Sequence, residues 1–232
     1  MLIEPEIGGC TIVLLGAFSP LAFSPKWFAI NGIVSNEQAE AAQVTVLHNE
    51  LSVFRIGKFS FAIEENRFSA DTTEAPWIDL CDLVSKTFSD FLPFTPINQM
   101  GINRLVHFSV GSEDKRNRIG NVLAPLEPWG KWGKEIANAP PTSRGGVTNL
   151  TMLQKVTHDD YRGHFQITIQ PSGRLKGNVG IYAQTNDHYD VGPLDATGGC
   201  GSIMKLLVEN FETSLRRSES AIEQVMRLGE GL

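Results

Sequence analysis

The sequence predicts an α+β protein built as an internal duplication, each copy running strand, helix, antiparallel meander and closing helix. Three observations predict it. Residues 44–70 lie on residues 150–176 at a constant offset, with identities at Thr45/Thr151, Leu47/Leu153, Gly57/Gly163, Phe59/Phe165 and Ile63/Ile169. The matched segments share a period of two, "FSFAI" against "FQITI", and both then enter a polar turn, "EENR" or "QPSGR". Each half finishes on an apolar stripe at helical spacing, "WIDLCDLVSKTFSDFL" and "SIMKLLVENFETSL".

The elements follow in order. "CTIVLLGAF" at 10–18 and "INRLVHFSV" at 102–110 read as opening strands of similar length. Each leads into helical character: "SNEQAEAA", where Ser35 and Gln38 have capping-box spacing, and "SEDKRNRIGNVL" followed by "PWGKWGKEIANA". The meanders come next, and the second half carries an apparent insertion, "NVGIYAQTNDHYDVGPLDATGG", before its closing helix. The boundary falls between 1–98 and 99–232, the two repeats packing as one pseudo-symmetric unit. This topology resembles the duplicated fold of the TATA-binding-protein type, a likeness that implies one sheet under paired helices and transmits no function.

At 232 residues and 41% hydrophobic, the chain is long enough to bury a sizeable core. No run reaches the roughly 18–20 apolar residues of a membrane helix. The start "MLIEPEIGG" has two acids and no base, the wrong charge for a secretory signal, so a cytoplasmic protein without membrane contact is expected. Cys10, Cys81 and Cys200 are odd in number and widely spaced, which favours neither a disulfide framework nor a zinc site.

Catalytic constellations are weak. "TGGCGS" before the last helix lacks the Lys-Ser/Thr of a phosphate loop, and its antiparallel surroundings do not suit a dinucleotide fingerprint. Cys200 near a helix N-terminus is a candidate thiol, set against a bland reading in which the loop only turns and Ser202 caps the helix. "THDDYRGH" and "NDHYD" supply His158, His164 and His188 with Asp159, Asp160, Asp187 and Asp190 as weak metal-ligand candidates, though the first cluster also suits a tight strand connection. Glu64 and Glu65 read as a solvated turn. No catalytic residue, resident metal or cofactor is assigned.

Charge layout says more. Residues 1–100 hold 5 basic and 12 acidic side chains, residues 101–186 hold 11 and 6, and residues 187–232 hold 4 and 8, so a basic middle sits inside a chain of net charge −6. Its densest part joins Lys115, Arg116, Arg118, Lys131 and Lys134 to Trp129 and Trp132. That mixture suits a protein-binding hot spot, or phosphate contacts with base stacking, or a helix face packed on a sheet with solvated lysines.

"PINQMGINRLVHFSV", through Gly101, Asn103 and Arg104, and the closing "LLVENFETSLRRSESAIEQVM" resemble segments of a sporadically distributed family of uncharacterised bacterial proteins. The resemblance implies an accessory role such as phage defence and carries no catalytic residue. In physical terms Asn103 and Arg104 open the second half, where a structural tie between halves is the expected job. The function expected is a non-enzymatic binding or adaptor subunit whose partner is another protein or a second copy, within a defence or toxin-related complex. Nucleic-acid binding through 115–134 is the alternative, and an enzyme with an unrecognised site is third.

Overall fold

A computed structural model describes residues 4–140, 145–195 and 197–231; the N-terminal stretch read above for its charge begins outside them. Nine strands form one antiparallel sheet in the order β2-β3-β4-β5-β1-β6-β9-β8-β7. They are β1 (Ile7–Gly16), β2 (Gln43–Leu47), β3 (Leu51–Ile56), β4 (Phe59–Glu64), β5 (Arg67–Thr72), β6 (Ile97–Ser109), β7 (Leu150–Thr157), β8 (Arg162–Pro171) and β9 (Gly180–Asp190). The helices are α1 (Pro25–Ile30), α2 (Asn36–Glu40), α3 (Ile78–Lys86), α4 (Glu113–Leu123), α5 (Gly130–Asn138) and α6 (Gly201–Gly231). The two opening strands lie side by side at the centre, Cys10 opposite Arg104 and Ile12 opposite Ile102, so one sheet continues across the 98/99 boundary.

Alternation along each strand decides which face is dry. On β1 the side chains of Cys10, Ile12 and Leu14 are fully buried, with Thr11, Val13 and Leu15 on the opposite face. The same alternation puts Phe54, Phe61, Phe68, Met100 and Ile102 on the dry face. There an aromatic cluster forms under α1 and α3: Phe61 is 4.9 Å from Phe28, 5.0 Å from Phe54 and 6.2 Å from Phe68, and Phe68 is 5.0 Å from Phe88. Each ring contributes about 1.5–3 kcal/mol by leaving water.

Local chemistry sets the helix starts. Ser24 accepts from Trp27 N ahead of Pro25, and Ser35 with Gln38 completes a capping box on α2. The closing helix of the first half matches its expected span, with α3 continuing into a wide turn at Thr87–Phe91. That of the second half runs 31 residues, far past the expected 202–215. Its stripe feeds two clusters: Ile203, Leu207, Phe211 and Leu215 join the main core, while Ile222, Val225 and Met226 meet Val106, Phe108, Ile119, Ile169 and Ile181 in a second. A helix of this length, about 46 Å, reaches over both.

Two sequence expectations need correction. The stretch from 180 taken as an insertion is β9, which pairs along its whole length with β6 and β8. Alternating polar and apolar residues, "GIYAQTNDHYD", carry the strand signal. The constant-offset match is also inconsistent with the sheet beyond β4 and β8. It sets β3 against the β7–β8 turn, and it equates β2, which is separated from β4 by β3, with β7, the direct neighbour of β8.

Candidate functional site

The basic segment folds into a helical arm. Ser112 caps α4 by accepting from Lys115 N at 3.1 Å, and Glu113 and Asp114 in the first turn complement the helix N-terminus. Ile119 anchors α4 to the second core cluster. The chain then turns through a short 3-10 segment into α5, whose one buried residue is Gly133. A Cβ at Gly133 would stand 2.1 Å from Leu126 O, so glycine is what lets α5 close onto the turn before it.

Much of the arm's positive charge is spent internally. Arg116 donates to Asn178 O at 2.8 Å and pairs with Glu113 at 3.2 Å; Arg118 pairs with Asp114 at 3.2 Å and Lys131 with Glu135 at 3.8 Å. Lys115 and Lys134 make no ion pair with a described residue. The tryptophans behave differently. Trp129 and Trp132 meet edge to face, centroids 5.4 Å apart, and remain 57% and 56% exposed. They do not pack onto the sheet. Beside them Lys134, Asn121, Leu126, Glu127 and Gly130 line a cleft of about 410 Å³, and Asn121 Oδ1 is buried there with no hydrogen-bond partner among the described residues.

The candidate metal ligands are scattered by strand alternation. His164 and His188 stack across β8 and β9 with centroids 4.8 Å apart, while His158 belongs to the β7–β8 turn and stacks on Tyr161. Asp187 points to the other face, where Tyr189 Oη donates to it at 3.3 Å and Arg217 approaches to 3.8 Å. Burial holds the His188 imidazole below its ordinary value and the Asp187 carboxyl above its own. No group of three or more metal-type ligands forms among the described residues.

Cys200 is 2% exposed, and its thiol donates to Phe88 O and Pro93 O at 3.5 Å each. Burial pushes its pKa up, against the helix dipole that the sequence suggested would lower it. Ser202 is not the cap. Cys200 holds that position, its carbonyl accepting from Met204 N at 2.9 Å, while Ser202 is already inside α6. Glu64 ends β4 opposite Arg67, and Glu65 lies in the turn that follows.

Arg104 and Asn103 occupy opposite faces of β6. Arg104, 8% exposed, donates to Gly9 O at 2.9 Å and Leu105 O at 2.7 Å, faces Glu219 of α6 at 3.5 Å and lies 4.6 Å above the Trp77 ring. It therefore touches both halves. On the other face Asn103 donates to Thr11 O and Gly101 O at 3.4 Å each, and a Cβ at Gly101 would meet Asn186 Oδ1 at 2.7 Å, so a larger residue there would displace the Asn186 side chain. The helices that touch the sheet do so on the dry face, and among the described residues no helix covers this polar face. No family model and no curated protein matches the chain.

Proposed function

We propose that this protein is a non-catalytic binding subunit that engages a protein partner through the α4–α5 arm, with Trp129 and Trp132 as the centre of contact. The observation that carries this reading is their exposure, 57% and 56%, with Trp129 ending the 3-10 turn and Trp132 on α5, whose one buried residue is Gly133. Two large apolar rings left in water side by side are what a partner's pocket desolvates, and tryptophan is among the residue types most enriched at such centres. Lys134, which lines the adjoining cleft, favours a partner with a carboxylate beside an apolar pocket.

The nucleic-acid reading is the less supported. Arg116 and Arg118, the side chains best suited to phosphate, are held by Glu113, Asp114 and Asn178 O. Arg116 also fastens α4, so its reversal would damage the arm. The discriminating experiment compares Trp129→Ala/Trp132→Ala with Lys115→Glu/Lys131→Glu/Lys134→Glu. Loss of the natively copurifying partner in the first, with thermal stability unchanged, is the expected result. Salt-dependent oligonucleotide binding that only the lysine variant abolishes would overturn the reading in favour of nucleic acid.

We further infer that the chain is a tandem copy. The strand order supports this, since from the β1–β6 pair the first half continues outward through β5-β4-β3-β2 and the second through β9-β8-β7, each closing with a helix over its own central strands. The likeness to the TATA-binding-protein type belongs to the same inference, as does membership of a defence-related complex.

A further inference from the structure

β7 forms one edge of the sheet, and no described strand pairs with its outer side. We propose that β7 pairs antiparallel with β7 of a second copy of this chain, joining two nine-stranded sheets into one.

The reason begins with hydrogen-bond parity. His158 N donates to Tyr161 O at one end of the β7–β8 ladder, and Ser172 N donates to Gly180 O at one end of the β8–β9 ladder. Bonded residues alternate in antiparallel pairs, so even-numbered residues of β8 bond to β9 and odd-numbered ones to β7. Both ends give the same phase. On β7 the inward set is then Leu150, Met152, Gln154 and Val156, and the backbone N–H and C=O groups of Thr151, Leu153, Lys155 and Thr157 point away from the sheet. No described strand meets them.

The two edges of the sheet are treated differently. β2 is five residues long, and its register slips between Val44 and Val46, a bulge that blunts pairing. β7 runs eight residues in unbroken register, without proline and with a single charge, and exposes Met152 by 63% and Leu153 by 50%. With Lys155 as its one charge against pairing, β7 is the edge better disposed to take a strand partner.

Its sequence fits a copy of itself. A two-fold axis through Gln154 uses all four outward residues. It sets Thr151 against Thr157 and Leu153 against Lys155 of the second copy as bonded pairs, about eight new backbone bonds in all. Between them Met152 meets Val156 of the second copy, and the two Gln154 residues face each other, each side chain accepting from Arg217 of its own chain at 2.9 Å. No like charges stand directly opposite.

Sedimentation equilibrium of the full chain tests this. Wild type should sediment at twice the 25.5 kDa chain mass. Leu153→Pro removes an N–H that has no bond within the chain, so it should keep the wild-type circular dichroism while weakening the dimer by roughly thirtyfold or more, the loss of two bonds of about 1 kcal/mol each. As an independent readout, Gln154→Cys should give a covalent dimer on mild oxidation, because residues facing each other in a non-bonded pair have Cα atoms about 4.5 Å apart. Leu153→Cys should not, being offset from its own copy. Trp129→Ala/Trp132→Ala should leave the dimer intact. A wild type that stays monomeric, a dimer that survives Leu153→Pro unchanged, or a cross-link at Leu153→Cys but not Gln154→Cys would overturn the proposal; a dimer lost only in the tryptophan variant would move the contact to the arm.

Discussion

Removing the Arg104 guanidinium should be among the most damaging single changes to the fold. Arg104→Ala deletes two hydrogen bonds to backbone carbonyls, one on each central strand, at 2.9 and 2.7 Å. It also removes the stack on Trp77 at 4.6 Å and the pairing with Glu219 at 3.5 Å. The two bonds account for about 2–3 kcal/mol and the cation–π contact for about 1 kcal/mol. The lost aliphatic packing of a side chain that is 8% exposed adds about 1 kcal/mol more, for a total of about 4–5 kcal/mol. For a chain of this size that lowers Tm by about 10–15 °C. Glu219→Gln is the control. The Glu219 side chain is 43% exposed, so its pairing is screened by water and the variant should lose less than about 1 kcal/mol. Urea unfolding followed by circular dichroism at pH 7 gives both values. If the two variants lose stability equally, or if Arg104→Ala costs under about 2 kcal/mol, Arg104 is not the tie between the halves.

Two further outcomes follow from burial. Cys10, Cys81 and Cys200 are all 2% exposed or less, and burial pushes the Cys10 and Cys81 thiols up to about 12 and Cys200 in the same direction; a chromogenic disulfide reagent at pH 8 should therefore find three reactive thiols per chain in denaturant and none in the native protein, and a fast-reacting native thiol would contradict the packing. Asp187→Asn should stabilise the protein at neutral pH: burial holds the Asp187 carboxyl above its unfolded value, so the fold favours the protonated acid, and its contribution is complete below the unfolded pKa and lost as pH rises through the folded one. The advantage of the variant should thus grow as pH rises through the carboxylate range and vanish at acid pH, as read from denaturation midpoints; a pH-independent difference would show that Arg217 and Tyr189 fully offset the burial.

Strand phase was the most legible part of the sequence. Period-two runs such as Cys10-Ile12-Leu14 and Phe59-Phe61-Ile63 place their own residues in the core without help from the rest of the chain. Where reading failed, the deciding partner was distant. β9 looked like an insertion because the match between the halves left it without a counterpart, and pairing with β6 on one side and β8 on the other is what gives it its place in the sheet. Ser202 looked like a cap because serine favours that position; Cys200, two residues earlier, holds it instead and buries its thiol against carbonyls more than a hundred residues away. The tryptophans were flagged by sequence, but their exposure depends on Gly133 closing α5 onto its own turn rather than onto the sheet.

The uncovered face also bears on where partners bind. A sheet destined to be buried on both faces reads as continuous apolar runs, whereas β9 sets Tyr182, Gln184, Asn186, His188 and Asp190 on one side and Ile181, Ala183, Thr185, Asp187 and Tyr189 on the other. The first set continues across the sheet as Thr11, Asn103, Asn186 and Gln166, a row of hydroxyl and amide groups packed closely enough that Asn103 is 8% exposed and Asn186 Oδ1 is buried without a hydrogen-bond partner among the described residues. Desolvating that row would require a partner to match every amide and hydroxyl. Desolvating Trp129, Trp132 or the β7 edge requires only an apolar pocket or another strand. On the proposed reading, association draws on the arm and on the edge strand β7 rather than on the polar face.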